Sequence, residues 1–197
     1  MISRLASTIL NYIITHIDIS SELKDIYQYG IEITISSSLN IILVLAMSLI
    51  IQDGISGLIF LSVFVFVRSF TGGYHASTYF MCNALMLLTF LLCYFTQQTI
   101  NFTNTNSIIS IVISIVNIIP IVLFSPVSNK HKPLSSDLKK RSKLMGALTS
   151  FLLSICGIIL VNQNIKYGWM IIITVSAISV MMIIEIILQR RKQNESK

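Results

Sequence analysis

Residues 55–82 read ISGLIFLSVFVFVRSFTGGYHASTYFMC, and whether their first half crosses a membrane decides the topology of the whole chain. Ile55 to Val67 is an apolar run of 13 residues, shorter than the roughly 17–25 a spanning helix needs. By length alone it reads as a re-entrant or buried segment. Charge argues for a crossing. Further apolar runs fall near residues 33–51, 79–96, 108–124, 144–161 and 169–188. If all six cross and the N-terminus is cytoplasmic, the inner segments hold Arg4, Lys24, Arg68, Lys130, Lys132, Lys139, Lys140, Arg141, Lys143, Arg190, Arg191, Lys192 and Lys197. Only Lys166 is left outside. Thirteen of the 14 Lys and Arg on one side is the asymmetry that the positive-inside rule describes. Removing the second crossing would move the basic loop outside, so six spans with both termini cytoplasmic is the expected topology.

Composition points the same way. Hydrophobic residues make up 54% of the 197 and charged residues only 11%, against about a quarter charged in soluble domains. The expected fold is all-α: one integral membrane domain over 1–197, with six transmembrane helices and an N-terminal interfacial amphipathic helix. The interfacial segment is placed at 1–29. There Ile2, Leu5, Ile9, Ile13 and Ile17 recur at helical spacing, opposite Ser3, Ser7, Asn11 and Thr15. That pattern fits a helix lying in the membrane plane, or equally one packed on the rest of the protein. Polar interruptions at Asn11, Thr15, His16 and Asp18 argue against a cleavable signal peptide. Pro120, following Asn117 in the fourth span, predicts a kink. The net charge of +6 lies at the inner membrane face, so no nucleic-acid partner is expected. Three cysteines without ligand spacing give neither a disulfide framework nor a zinc site.

The polar cluster between the second and third spans carries the candidate chemistry. Arg68 to Tyr79 falls on the cytoplasmic side, and Cys82 lies just inside the next helix, for which Ser77 or Thr78 is a suitable N-cap. In that first turn the positive end of the helix dipole favours a thiolate, and Arg68 acts in the same sense. His75 is the candidate base. Seven residues along one continuous helix would separate it from Cys82 by about 10.5 Å, beyond side-chain hydrogen-bonding reach. A working pair therefore needs His75 ahead of the helix and folded back over its N-terminus. Gly72 and Gly73 supply such a hinge. The plainer alternative is that Cys82 is a small apolar filler, as Cys93 and Cys156 read.

Glu32, which opens the first span after Tyr29-Gly30, could orient His75 as a third catalytic member, or be an interfacial carboxylate in water. Glu185 near the inner end of the last span reads as a partner of Arg190 or Lys192. Arg68, Asn83 and backbone amides near Cys82 are the candidate oxyanion donors. The basic loop from Ser125 to Lys143, with Lys130, Lys132, Lys139, Lys140 and Arg141, fits anionic lipid headgroups, or an acidic peptide tail as its docking partner. His16 and His131 read as solvated.

Arg68, Gly72-Gly73-Tyr74-His75-Ala76 and Cys82 resemble, in their order, the Arg, Gly-Gly-x-His and downstream Cys of the accessory gene regulator protein B family (AgrB). These are membrane-embedded cysteine endopeptidases of Gram-positive quorum sensing. Tyr29-Gly30-Ile31-Glu32 and Asn129 to Leu134 add weaker similarity. The resemblance implies Cys82 as nucleophile and His75 as base, with no metal or cofactor. It implies a precursor peptide with an amphipathic leader and an acidic C-terminal tail. Tail cleavage would leave an acyl-enzyme thioester, resolved by cyclisation to a thiolactone or lactone autoinducing peptide. A homodimer is also implied. The competing expectations are a peptide transporter or membrane scaffold without peptidase chemistry, and a structural membrane protein with a lipid-binding loop.

Overall fold

The computed structural model describes residues 2–17, 21–72, 78–100, 105–127 and 136–195, and every regular element among them is helical. The helices are α1 (Ile2–Ile14), α2 (Ser21–Ile50), α3 (Gly54–Thr71), α4 (Tyr79–Thr99), α5 (Thr105–Phe124), α6 (Ser136–Asn162) and α7 (Tyr167–Glu195). Six of them, α2 to α7, are long and apolar enough to cross a membrane. The expected all-α fold with six such helices behind a short N-terminal one is what the chain adopts.

The ambiguous second run is resolved by its helix, not by its hydropathy. Arg68, Ser69 and Thr71 continue the helix past Val67, and α3 reaches 18 residues, about 27 Å of rise against a hydrocarbon core of about 30 Å. Arg68, placed in the connecting loop by the sequence, therefore sits in the last turn of α3. Two other boundaries also shift. α1 ends at Ile14, and α2 starts at Ser21, so residues 21–29 of the expected interfacial segment are the opening turns of the first long helix. α2 runs through Gly30 without a break. Pro120 likewise lies within α5, where Asn117 donates to Ser176 Oγ at 2.6 Å and Ser179 Oγ donates to the Asn117 carbonyl at 2.8 Å.

α1 has one strongly apolar side and packs on α2 through Ala6 and Leu10, while Leu5, Ile9 and Tyr12 stay exposed. It thus does both things the sequence allowed: it docks on the protein and leaves apolar side chains turned outward. α7 is the centre of the bundle and packs against α3, α4, α5 and α6. The core there is Phe60, Phe64 and Phe90 with Met170, Val175, Ile178 and Met182. Phe60 lies 5.3 Å from Phe90 and 5.4 Å from Phe64, centroid to centroid. Outward, α2, α4, α5 and α6 expose Leu49, Leu92, Val112 and Leu152. So much apolar surface suits lipid rather than water.

Small residues bring two helix pairs close, as in other membrane bundles. A Cβ on Gly57 of α3 would lie 2.4 Å from Ser48 of α2, and one on Gly168 of α7 would lie 2.5 Å from the Gly157 carbonyl of α6. At this end of the bundle Asp53 caps α3, accepting from the Ser56 amide at 3.2 Å, and pairs with Lys166 at 2.7 Å. The one lysine assigned to the outer side is thus partnered by an acid from the neighbouring turn.

Burial pushes the Asp53 carboxyl up, but hydrogen bonds from Lys166 and Ser56 outweigh it and hold it below the usual carboxylate range. The bond to Asp53, opposed by burial, raises Lys166. Asp53 therefore contributes stability that is present above its unfolded value and lost as pH falls through its folded one. The Lys166 contribution is present below the unfolded lysine value and lost as pH rises through the raised one. Thermal unfolding in detergent should show a modest loss of Tm at both extremes, because the Lys166 side chain is 40% exposed and such pairs are screened. In Asp53→Asn the acid limb should disappear; an unchanged acid limb would assign it to other carboxylates.

Candidate active site

Cys82 lies where the N-terminal sequence signals put it. Thr78 has extended backbone and caps α4, its Oγ1 accepting from the Met81 amide at 3.2 Å. The Cys82 amide then bonds the Thr78 carbonyl at 3.0 Å. The thiol is therefore in the first turn, half-buried, at the positive end of the helix dipole. Cys93 is buried in the core beside Thr174, and Cys156 is exposed on the outer surface of α6.

Arg68 reaches the same end of the bundle from α3. Its guanidinium lies 5.2 Å from the Phe64 ring centre and 3.6 Å from Met181 Sδ. Cys82 and Glu185 are both within electrostatic range of it. Glu185 accepts from Gln189 at 2.8 Å and stands within electrostatic range of Arg68; the Lys192 side chain, one of its two expected partners, lies outside the described residues. The charged group facing Cys82 thus comes from the helix before it and is itself balanced from α7.

Gly72 ends α3. Its φ is +69°, a left-handed conformation that glycine adopts without penalty, and its amide bonds the Arg68 carbonyl at 3.0 Å. A Cβ there would lie 2.9 Å from the Val127 carbonyl, and the Val127 amide bonds the Thr71 carbonyl at 3.0 Å. The chain leaving α5 toward the basic loop is therefore fastened to the point where the chain leaves α3 toward His75. Gly73, His75, Lys130 and Lys132 lie outside the described residues. Lys139, Lys140 and Arg141 are exposed in the opening turns of α6. Gly146 of that helix abuts Thr71 and Ser125, so the three basic residues stand about 7.5–10.5 Å further along its axis.

Glu32 faces α4. Its Oε2 accepts from the Tyr79 hydroxyl at 2.5 Å and its Oε1 from Gln28 at 3.3 Å. Asn83, a candidate oxyanion donor, is buried and accepts from Ser36 Oγ at 3.0 Å, so its amide oxygen is turned to α2. Tyr79 and Ser36 were not singled out by the sequence reading, and nothing in their local sequence marks them; only the register between α2 and α4 does. Among the described residues no group of three or more His, Cys, Asp or Glu side chains is placed to hold a metal ion.

The family model described as accessory gene regulator B matches residues 6–186. A putative AgrB-like protein of Clostridium perfringens (strain SM101 / Type A) is 28% identical over 152 residues, which cover 75% of this chain and 71% of that protein. The putative AgrB-like protein 2 of C. perfringens strain 13 / Type A is similar to the same extent, at 28% identity over 152 residues. No solved structure matches the chain.

Proposed function

This chain belongs to the accessory gene regulator B family, a membership that supports a role in quorum-sensing peptide processing, and from it we propose a membrane-embedded cysteine endopeptidase. It would act at the cytoplasmic face of the cell membrane, with both termini on that side and as a homodimer, on a precursor peptide with an amphipathic leader and an acidic tail. The observation that most supports this is the position of Cys82. A half-buried thiol in the first turn of a capped helix, with Arg68 in electrostatic range, is the setting that activates a sulfur nucleophile.

In this reading Cys82 Sγ attacks the carbonyl carbon before the tail. The C–N bond breaks, His75 gives its proton to the departing amine, and the peptide remains on Cys82 as a thioester. A thiol within the peptide then attacks that carbonyl and passes its proton to His75. Cys82 is expelled as the ring closes to a thiolactone; a serine hydroxyl would give a lactone. Thioester exchange is nearly energy-neutral, so activation is kept as long as water is excluded, and a site at the bilayer edge assists. No metal or cofactor takes part.

The test uses purified protein in lipid vesicles with candidate precursor peptides, read by mass spectrometry. Release of free tail together with a cyclic product supports the proposal. Translocation of uncut precursor would instead identify a transporter.

The exposed Lys139, Lys140 and Arg141 are assigned to the acidic tail. Replacing all three by glutamine should raise KM for an acidic-tailed precursor by roughly 10-fold, given the small contribution of each exposed charge pair, and should leave a neutral-tailed one nearly unchanged. Equal losses for both peptides would assign these residues to lipid anchoring.

A further inference from the structure

Two side-chain hydrogen bonds join the start of α4 to α2. Tyr79 donates to Glu32 Oε2, and Ser36 donates to Asn83 Oδ1. Both pairs are separated by 47 residues, so they are successive rungs, one helical turn apart on each of two helices running in the same direction. Ser36 and Asn83 are buried, at 5% and 7% exposure. Gln28 holds the second oxygen of Glu32 from its own helix, which fixes the carboxylate that Tyr79 meets.

Cys82 follows Tyr79 by three positions and precedes Asn83 by one. At about 100° per residue its side chain projects some 60° around the helix from Tyr79 and 100° from Asn83. The two rungs bond α2 to α4 on either side of Cys82 in sequence, and so set the rotation and the rise of the turn that carries it. Phe80 in the same turn is 82% exposed, and the core contacts of α4, at Met86, Phe90 and Cys93, begin one turn deeper.

We propose that Glu32 and Tyr79, backed by Ser36 and Asn83, are positioning residues that hold the Cys82 turn of α4 in register for attack on the peptide. The proposal rests on Cys82 being the nucleophile. It gives Glu32 a role as hydrogen-bond acceptor for Tyr79 in place of a charged partner for His75. An acceptor role tolerates glutamine, whose amide oxygen still accepts from Tyr79, if more weakly than a carboxylate; stabilising an imidazolium does not.

The test uses the full chain in lipid with a precursor peptide, measuring the rate of Cys82 acylation and KM for Tyr79→Phe, Glu32→Leu, Glu32→Gln and the Tyr79→Phe/Glu32→Leu pair. Misplacing a nucleophile by about 1 Å costs on the order of 100-fold, so Tyr79→Phe and Glu32→Leu should each slow acylation about 10- to 100-fold while KM stays within about 2-fold. Glu32→Gln should retain most of the rate, and the double variant should be no slower than the slower single. A loss in Glu32→Gln equal to that in Glu32→Leu, or additive losses in the pair, would overturn the proposal. So would unchanged acylation in Tyr79→Phe.

Alkylation of Cys82 by N-ethylmaleimide, mapped by peptide mass, needs no precursor and separates this proposal from the peptidase reading. Faster alkylation in Tyr79→Phe and Glu32→Leu but not in Glu32→Gln supports the two rungs even if the parent cuts no peptide. Equal rates in all four proteins would overturn them even if it does.

Discussion

Cys82→Ala is expected to abolish tail release, with a fall on the order of 10⁶-fold or to background, the scale seen when an enzyme loses its covalent nucleophile. The substitution removes one sulfur from a half-buried position in the first turn of α4, and the cap that starts the helix, Thr78 Oγ1 accepting from the Met81 amide, does not involve the Cys82 side chain. The bundle should therefore fold as before, and thermal unfolding should match the parent. Cys93→Ala and Cys156→Ala are the matched controls. The first lies in the core and should cost some stability, the second faces outward, and neither should affect cleavage. His75→Ala should slow cleavage by about 10²–10⁴-fold, the contribution of a positioned acid–base group. Cleavage of precursor by the Cys82→Ala protein at the parental rate would contradict the enzyme reading outright.

The largest expected loss of stability comes from Gly168→Ala. The added methyl carbon would lie 2.5 Å from the Gly157 carbonyl oxygen, 2.7 Å from the Val161 amide nitrogen and 2.9 Å from Leu160 Cβ. Two of these are backbone atoms and the third is fixed to the backbone, so no rotamer change relieves the contact. α6 and α7 must separate, and α7 is the helix against which α3, α4 and α5 also pack. Overpacking of this kind costs about 1–3 kcal/mol and sometimes more; at 3 kcal/mol Tm should fall by roughly 6–12 °C for a chain of this size. Gly30→Ala is the reference, since nothing lies within 4 Å of a Cβ there and alanine is the better helix former. It should be neutral or slightly stabilising. Similar melting of the two variants would show that the close approach at Gly168 does not hold in solution.

Much of the architecture is written in local sequence. Long apolar runs give five of the spans directly, because a run of that length leaves a spanning helix few alternatives. The sixth, α3, needed an argument from charge. Hydropathy marks where side chains become polar, not where the backbone stops being helical, so Arg68 to Thr71 hid the last turn. The same reasoning explains the early start of α2: residues 21–29 are polar enough to look like a separate segment, yet nothing in them interrupts a helix. Thr78 was legible as a cap because a hydroxyl before an apolar helix has a specific local use.

The surroundings of Cys82 were only partly legible. A diglycine is visible in any sequence, and Gly72 does carry the positive φ that such a pair suggests. That Val127 crowds the same glycine could not be read, because it depends on how the segment after α5 returns to α3. Likewise, nothing near Tyr79 announces Glu32 as its partner 47 residues away. Glu32 invited comparison with a triad acid because ionisable groups in spans attract functional readings. Its hydrogen bonds to Tyr79 and Gln28 supply a structural occupation that sequence could not weigh. Contacts set by helix register are legible only once the helices are packed.

The most direct measurement traps the intermediate. Parent protein in lipid vesicles is mixed with precursor peptide, quenched in acid within the first turnover, and weighed intact before digestion. The account predicts a mass increase equal to the precursor minus the released tail peptide, which is the tail-less precursor less one water, lost on treatment with hydroxylamine and mapped to Cys82. Tail release with no covalent adduct at any quench time, or an adduct on Cys93 or Cys156, would contradict it.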